Sequence, residues 1–167
     1  MKHLLYSIFF LLLPLKAHSA EFTSLVLSGW NKEELTRDHL RFTHPQKKGI
    51  TIHLQVDSYD PNTTWDQKTL SRDIANMAKV RRTTSAFLGI TNYQIQTYKY
   101  QVSSSQNILE LAGSYSRLGQ KLIHFKEINF YHQEHFLQLK IISEKDLSLF
   151  DSESLIREIN PEQVDID

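Results

Sequence analysis

The 167-residue chain contains no cysteine. That excludes disulfides, thiolate metal sites, a cysteine nucleophile and a lipid-modified N-terminal cysteine. Exported eukaryotic domains of modest size commonly use disulfides, so an exported chain without any reads as a bacterial envelope protein. Glycine is scarce, with five residues at 29, 49, 89, 113 and 119, and none of them builds a phosphate-binding loop. A serine hydrolase would need its nucleophile in a G-x-S-x-G turn, which is missing; Leu88-Gly89-Ile90 and Ala112-Gly113-Ser114 are ordinary. Past the N-terminus no apolar run is long enough to span a bilayer.

What is present begins with Met1-Lys2-His3, basic, followed by the apolar run Leu4 to Leu13, which stops at Pro14 and gives way to Lys16-Ala17-His18-Ser19-Ala20. A charged start, an apolar core shorter than the roughly 20 residues of a transmembrane helix and small residues after it make a secretory signal peptide. Ala17 and Ser19 favour cleavage after Ser19, and the neighbouring bond after Ala20 is the other choice. The expected organisation is a signal peptide over 1–20, one domain over 21–160 and an acidic C-terminal tail over 161–167, with the mature protein periplasmic or secreted. Removing 1–20 takes away Lys2 and Lys16 and no acid, leaving 17 basic against 19 acidic residues. From Glu144 onward there are eight acids and two bases, whereas the body is mildly basic. Neither charge is dense enough for a nucleic-acid surface.

The mature chain opens with Phe22 to Leu27, which reads as a strand, and continues through a polar, helix-tolerant piece from Asn31 to Asp38. Leu40-Arg41-Phe42 is a short extended candidate. In Ile50 to Asp57 every even position is apolar, which predicts a strand with one buried face and places His53 and Asp57 on the other. Thr63 or Thr64 can cap a helix whose apolar stripe is Leu70, Ile74, Met77 and Ala78. The same stripe reaches Arg81, so the helix is expected to end near Val80 or to let the stem of Arg81 snorkel out. Tyr93 to Val102 is rich in β-formers, with a shift of phase between Ile95 and Tyr98 that suggests a bulge or a strand wetted on one side.

Ile108 to Ile142 holds three apolar runs separated by breaks at Gly119 and at His132-Gln133-Glu134-His135, which predicts a three-stranded antiparallel meander. Ser148 or Asp146 can then cap a last helix carrying Leu149, Phe150, Leu155, Ile156 and Ile159. The fold class is α+β: an antiparallel sheet of about six or seven strands flanked by helices.

With Leu40-Arg41-Phe42-Thr43-His44-Pro45 ahead of the alternating Ile50 to Val56 strand, a helix near Leu70 to Ala78, and the Leu109 to Ile142 meander before a last short helix, the chain resembles the PsbP/Mog1-like group. That group includes photosystem accessory proteins, a Ran-binding protein and bacterial envelope proteins of the DcrB type. The resemblance covers most of residues 22 to 160 and implies a helix-flanked antiparallel sheet with a non-enzymatic accessory or binding role. It brings no shared catalytic residues and leaves the ligand open.

Three side-chain groups could carry chemistry. His124, Glu127, His132, Glu134 and His135 form the densest collection of imidazoles and carboxylates, and His124, His132 and His135 are the metal candidates. His132-Gln133-Glu134-His135 has the spacing of neither helical zinc-protease motif and falls in a hairpin turn. Lys79, Arg81 and Arg82 sit where the helix is expected to end; they complement its dipole there, or contact an anion or a lipid headgroup. Tyr93, Tyr98, Tyr100, Tyr115 and Tyr131 could line a binding face or simply cover the sheet.

The leading reading is an exported, non-catalytic binding or accessory protein of the bacterial cell envelope, with no cofactor, whose partner is an envelope protein or a small ligand and not a nucleic acid. The alternatives are a small metal-binding protein or metalloenzyme using the His-rich turn, and a peripheral membrane-surface protein.

Overall fold

The alternation that marks Ile50–Asp57 as a strand has its physical counterpart in burial: Ile52 and Leu54 are fully buried while His53 between them is only half-buried. The computed structural model describes residues 25–57, 66–102, 107–118, 121–132, 135–148 and 150–159. In chain order these form β1 (Asn31–Thr36), β2 (His39–Thr43), β3 (Ile50–Asp57), α1 (Leu70–Ala86), β4 (Ile90–Val102), β5 (Asn107–Arg117), β6 (Leu122–His132), β7 (His135–Ser143) and α2 (Ser152–Ile159). The seven strands pair antiparallel in one sheet, ordered β1-β2-β3-β7-β6-β5-β4. The passage through α1 carries the chain from the centre of the sheet to its far edge, and the β4 to β7 hairpins bring it back to β3.

Because side chains alternate, the two faces have separate cores. On one face Leu40, Phe42, Ile52, Leu54, Ile128, Phe130, Leu139 and Ile141 pack beneath α2 and the entering segment that holds Leu27. On the other face Leu70 and Ile74 of α1 pack on Leu109 and Leu111, and Tyr93, Tyr115 and Phe125 form an adjoining aromatic cluster. α1 therefore covers the β4–β5–β6 part of its face. Among the described residues, nothing roofs the same face over β2, β3 and β7.

The expected meander, the β3 alternation, the short β2 strand and the α1 stripe are all present. The suggested bulge is there too, as a register shift between Ile95 and Thr97. Four expectations are corrected. Asn31 to Asp38, read only as a polar, helix-tolerant piece, holds a strand: Asn31–Thr36 is an edge strand, exposed along its length and paired with β2 through the Arg37-Asp38 turn. Leu25 to Leu27 is not a strand but a packed segment, with Leu27 buried and the chain turned at Gly29, whose φ of 77° favours glycine. α1 runs past Val80 to Ala86, so its last turn holds no base. α2 starts at Ser152 with Asp151 as its cap, Ser154 N–H donating to Asp151 Oδ1 at 3.0 Å; Asp146 instead closes a preceding turn with Ser148. Phe150 packs on the core ahead of that helix.

Residues 1–24, Thr63, Thr64, Leu149 and the tail beyond 159 lie outside the described residues. No helix among the described residues is long and apolar enough to cross a membrane.

Candidate functional site

Strand register on the α1 face lines up ionisable residues in one transverse row: Glu33, Arg41, His53, Lys140 and Glu127 are successive cross-strand neighbours from β1 through β2, β3 and β7 to β6. A second row beside it holds His39, Gln55, Gln138 and Asn129. Cross-strand neighbours stand about 5 Å apart, so their side chains interact directly.

The β6 end of the row lies under α1. Glu127 is 1% exposed and takes a bidentate pair from Arg81, with both nitrogen to oxygen distances at 2.7 Å. Its Oε1 also accepts from Gln138 at 3.3 Å and from Asn129 at 3.4 Å. Arg81 donates further to the Tyr93 hydroxyl at 3.2 Å. Burial works against the charged guanidinium, but the bonds to Glu127 outweigh it and hold the pKa of Arg81 above its ordinary value. Arg82 donates to the Tyr93 carbonyl at 3.2 Å.

The β1 end is paired as well, Arg41 Nε donating to Glu33 Oε2 at 2.8 Å. Between the two pairs lies an open pocket of about 260 Å³, lined by His39, His53, Gln55, Gln138, Lys140 and Ile142. Among the described residues it is lined by two imidazoles and an ammonium and by no carboxylate. His39 Nε2 and His53 Nδ1 lie 3.0 Å apart, one donating to the other. Burial, then His39, Arg41 and Lys140, push the pKa of His53 down to about 4, so it is neutral at pH 7. Lys140 is the charge without a counter-charge: among the described residues no carboxylate oxygen lies within 4 Å of its ammonium, which sits 5.6 Å over the Phe125 ring. Burial lowers its pKa, with Glu127 acting in the opposite direction and Arg81 adding to the lowering.

The low pKa of His53 has a stability consequence. Its folded value lies below the roughly 6.5 of the unfolded chain, so between these values the unfolded state binds more protons and stability is lost as the pH falls through the window. A shift of this size corresponds to about 3 kcal/mol when unscreened, and the open pocket reduces it to about 1–2 kcal/mol. His53→Gln is expected to remove that part of the acid sensitivity. Unfolding free energies at pH 7 and pH 4.5 check this, and equal slopes for the two proteins would refute it.

The sites proposed from sequence fare differently. Arg81 does not face an anion from outside: α1 extends beyond it, and the guanidinium is taken up by Glu127. Lys79 and Arg82 are exposed on the helix interior, not at its end. The metal candidates are not brought together as a set. His124 and His132 occupy opposite ends of β6, about 26 Å apart at a strand's rise per residue. His132 and His135 do pair across the hairpin backbone, and their side chains lie outside the described residues. Among the described residues there is no group of three or more potential metal ligands. Tyr93 and Tyr115 are buried and stacked with or beside Phe125, so they are core and not a binding face. Tyr98 is exposed on β4, and the Tyr131 side chain is not described.

Sequence reasoning missed the His39/His53/Lys140 pocket. The signal available was His53, which alternation placed opposite the buried face; its neighbours depend on strand order, which periodicity does not specify.

No protein-family model and no curated protein matches the chain. Among solved structures it is similar to cyanobacterial PsbP (CyanoP) from Synechocystis sp. PCC 6803, at 11% identity over 80% of each chain with a TM-score of 0.57. A putative regulator of unknown function from Pseudomonas aeruginosa, PA94, is 7% identical over 70% of this chain and 83% of its own, with a TM-score of 0.42. The fold is PsbP/Mog1-like.

Proposed function

We propose that this protein is an exported, non-catalytic binding or accessory protein of the bacterial cell envelope, and that the uncovered part of its sheet takes a small oxyanion, a carboxylate or phosphate group, at His39, His53 and Lys140. Export is read from residues 1–20. The observation that carries the binding site is Lys140: a partly desolvated ammonium between two ion pairs, with no carboxylate oxygen within 4 Å among the described residues to receive its three donors. The neighbouring carboxylate, Glu127, is already held by Arg81, so desolvating Lys140 is costly, and an anion entering the pocket would offset that cost. Gln55 adds an exposed amide at the rim, and the His39/His53 pair has a further N–H to donate upon protonation. A divalent cation is disfavoured at the same imidazoles by Lys140 and Arg41.

Calorimetric titration with inorganic phosphate and with succinate, at constant ionic strength, tests this. Both oxyanions would stabilise protonated His53, whose pKa in the empty pocket is about 4. Binding should therefore take up a proton and tighten as the pH falls from 7.5 to 5. Lys140→Met is expected to weaken binding at least tenfold, with the fold retained by circular dichroism. Saturable binding that Lys140→Met leaves unchanged, or no saturable binding of either probe, would overturn the oxyanion assignment.

A further inference from the structure

The turn after α1 and the turn between β5 and β6 meet at one end of the molecule, where the Leu118 N–H donates to the Gly89 carbonyl at 3.0 Å. Both turns carry apolar side chains in water: Phe87 is 88% exposed, Leu88 77% and Leu118 77%, and Leu122 nearby is 45% exposed. Scattered exposed leucines need no explanation, but three large apolar residues on two bonded turns, with Leu122 beside them at the start of β6, form an exposed patch. Its surroundings are basic. From residue 74 to residue 126 the sequence holds one acid, Glu110, against seven lysines and arginines. Glu110 lies within β5, close to Lys126, away from the turn. Arg117 and Lys121 flank Leu118, and Arg82 is exposed on the last part of α1. Among the described residues, the acidic groups at this end are Glu144, 3.5 Å from Lys121, and Asp146 just beyond it.

We infer that this tip is a membrane-contact surface, with Phe87, Leu88 and Leu118 entering the headgroup region of an anionic bilayer and Arg82, Arg117 and Lys121 facing its lipid phosphates. An apolar projection ringed by cations matches an interface that is apolar within and negatively charged at its surface, whereas a protein partner's groove would need no such ring. The tip and the His39/His53/Lys140 pocket share no residue, so the two assignments stand or fall separately.

The test is sedimentation with vesicles of phosphatidylcholine alone or with 30% phosphatidylglycerol, using the chain without residues 1–20 so that the N-terminal apolar run does not contribute; every described element is retained. The protein is expected to co-sediment with the anionic vesicles and to be released by 0.5 M salt. Phe87→Ser/Leu88→Ser/Leu118→Ser should lower the partition coefficient at least tenfold, and Arg117→Glu/Lys121→Glu several-fold, with thermal midpoints close to the parent because these side chains are exposed. Absence of binding to anionic vesicles, or binding that the triple serine variant leaves unchanged, would overturn the inference. A concentration-dependent dimer that the triple variant abolishes would assign the tip to self-association instead.

Discussion

Arg81→Ala is expected to lower the unfolding free energy by about 3–5 kcal/mol, the cost of stranding one member of a buried ion pair. Glu127 is the reason: its carboxylate is 1% exposed and is held by both guanidinium nitrogens, and without them it faces the aromatic cluster and the α1 core with only two amide donors left. The orphaned group must take up a proton or draw water into the sheet, so the deficit should narrow in acid. Removing both charges should cost less than removing one. Arg81→Met combined with Glu127→Gln keeps the volume and an acceptor for Asn129 and Gln138, and is expected to recover more than half of the loss. Urea unfolding of Arg81→Met, Glu127→Gln and the double variant measures this coupling, and a loss below about 1 kcal/mol for Arg81→Ala would show that the pair does not anchor α1 to the sheet.

The second large effect is expected at Gly113. A Cβ there would lie 2.1 Å from the Gln94 carbonyl oxygen and 2.8 Å from Cζ of Phe125. The first contact is backbone, so β4 itself must move, and the second is a fully buried ring stacked on Tyr93 at 5.3 Å. Gly113→Ala should therefore destabilise by about 3 kcal/mol or more, a larger penalty than one methyl group usually imposes. Near-ultraviolet circular dichroism should also lose part of its tyrosine signal as the stack opens. An alanine variant within 1 kcal/mol of the parent would mean that the β4 bulge relaxes freely.

Gly113 illustrates what periodicity can and cannot reveal. Counting in twos placed it in a strand beside Leu111 and Tyr115, and that placement holds, but nothing in the local pattern says that the β4 backbone passes over it. The meander and β3 were legible because their apolar residues recur at the pleat's own spacing, and so was the α1 stripe, which sequence already traced as far as Arg81. Of the two readings there, a helix ending near Val80 or one that carries Arg81 onward, the structure overturns the first, since the helix continues to Ala86. An arginine on an apolar stripe and a single carboxylate between Phe125 and Asn129 were two halves of one contact, each ascribed to a separate surface role. β1 was illegible for another reason: an edge strand with both faces in water carries no hydrophobic period, and only pairing with β2 makes it a strand. The His39/His53/Lys140 pocket needed strand order, since His53 meets Lys140 only because β3 lies beside β7.

That same adjacency governs how the chain must assemble. Ile50 pairs with Ser143 and Asp57 with Phe136, so β3 has no partner on one side until nearly the entire polypeptide is available. Contacts so distant in sequence form slowly. The sheet therefore cannot close until its last hairpin, β6 to β7, is in place to receive β3.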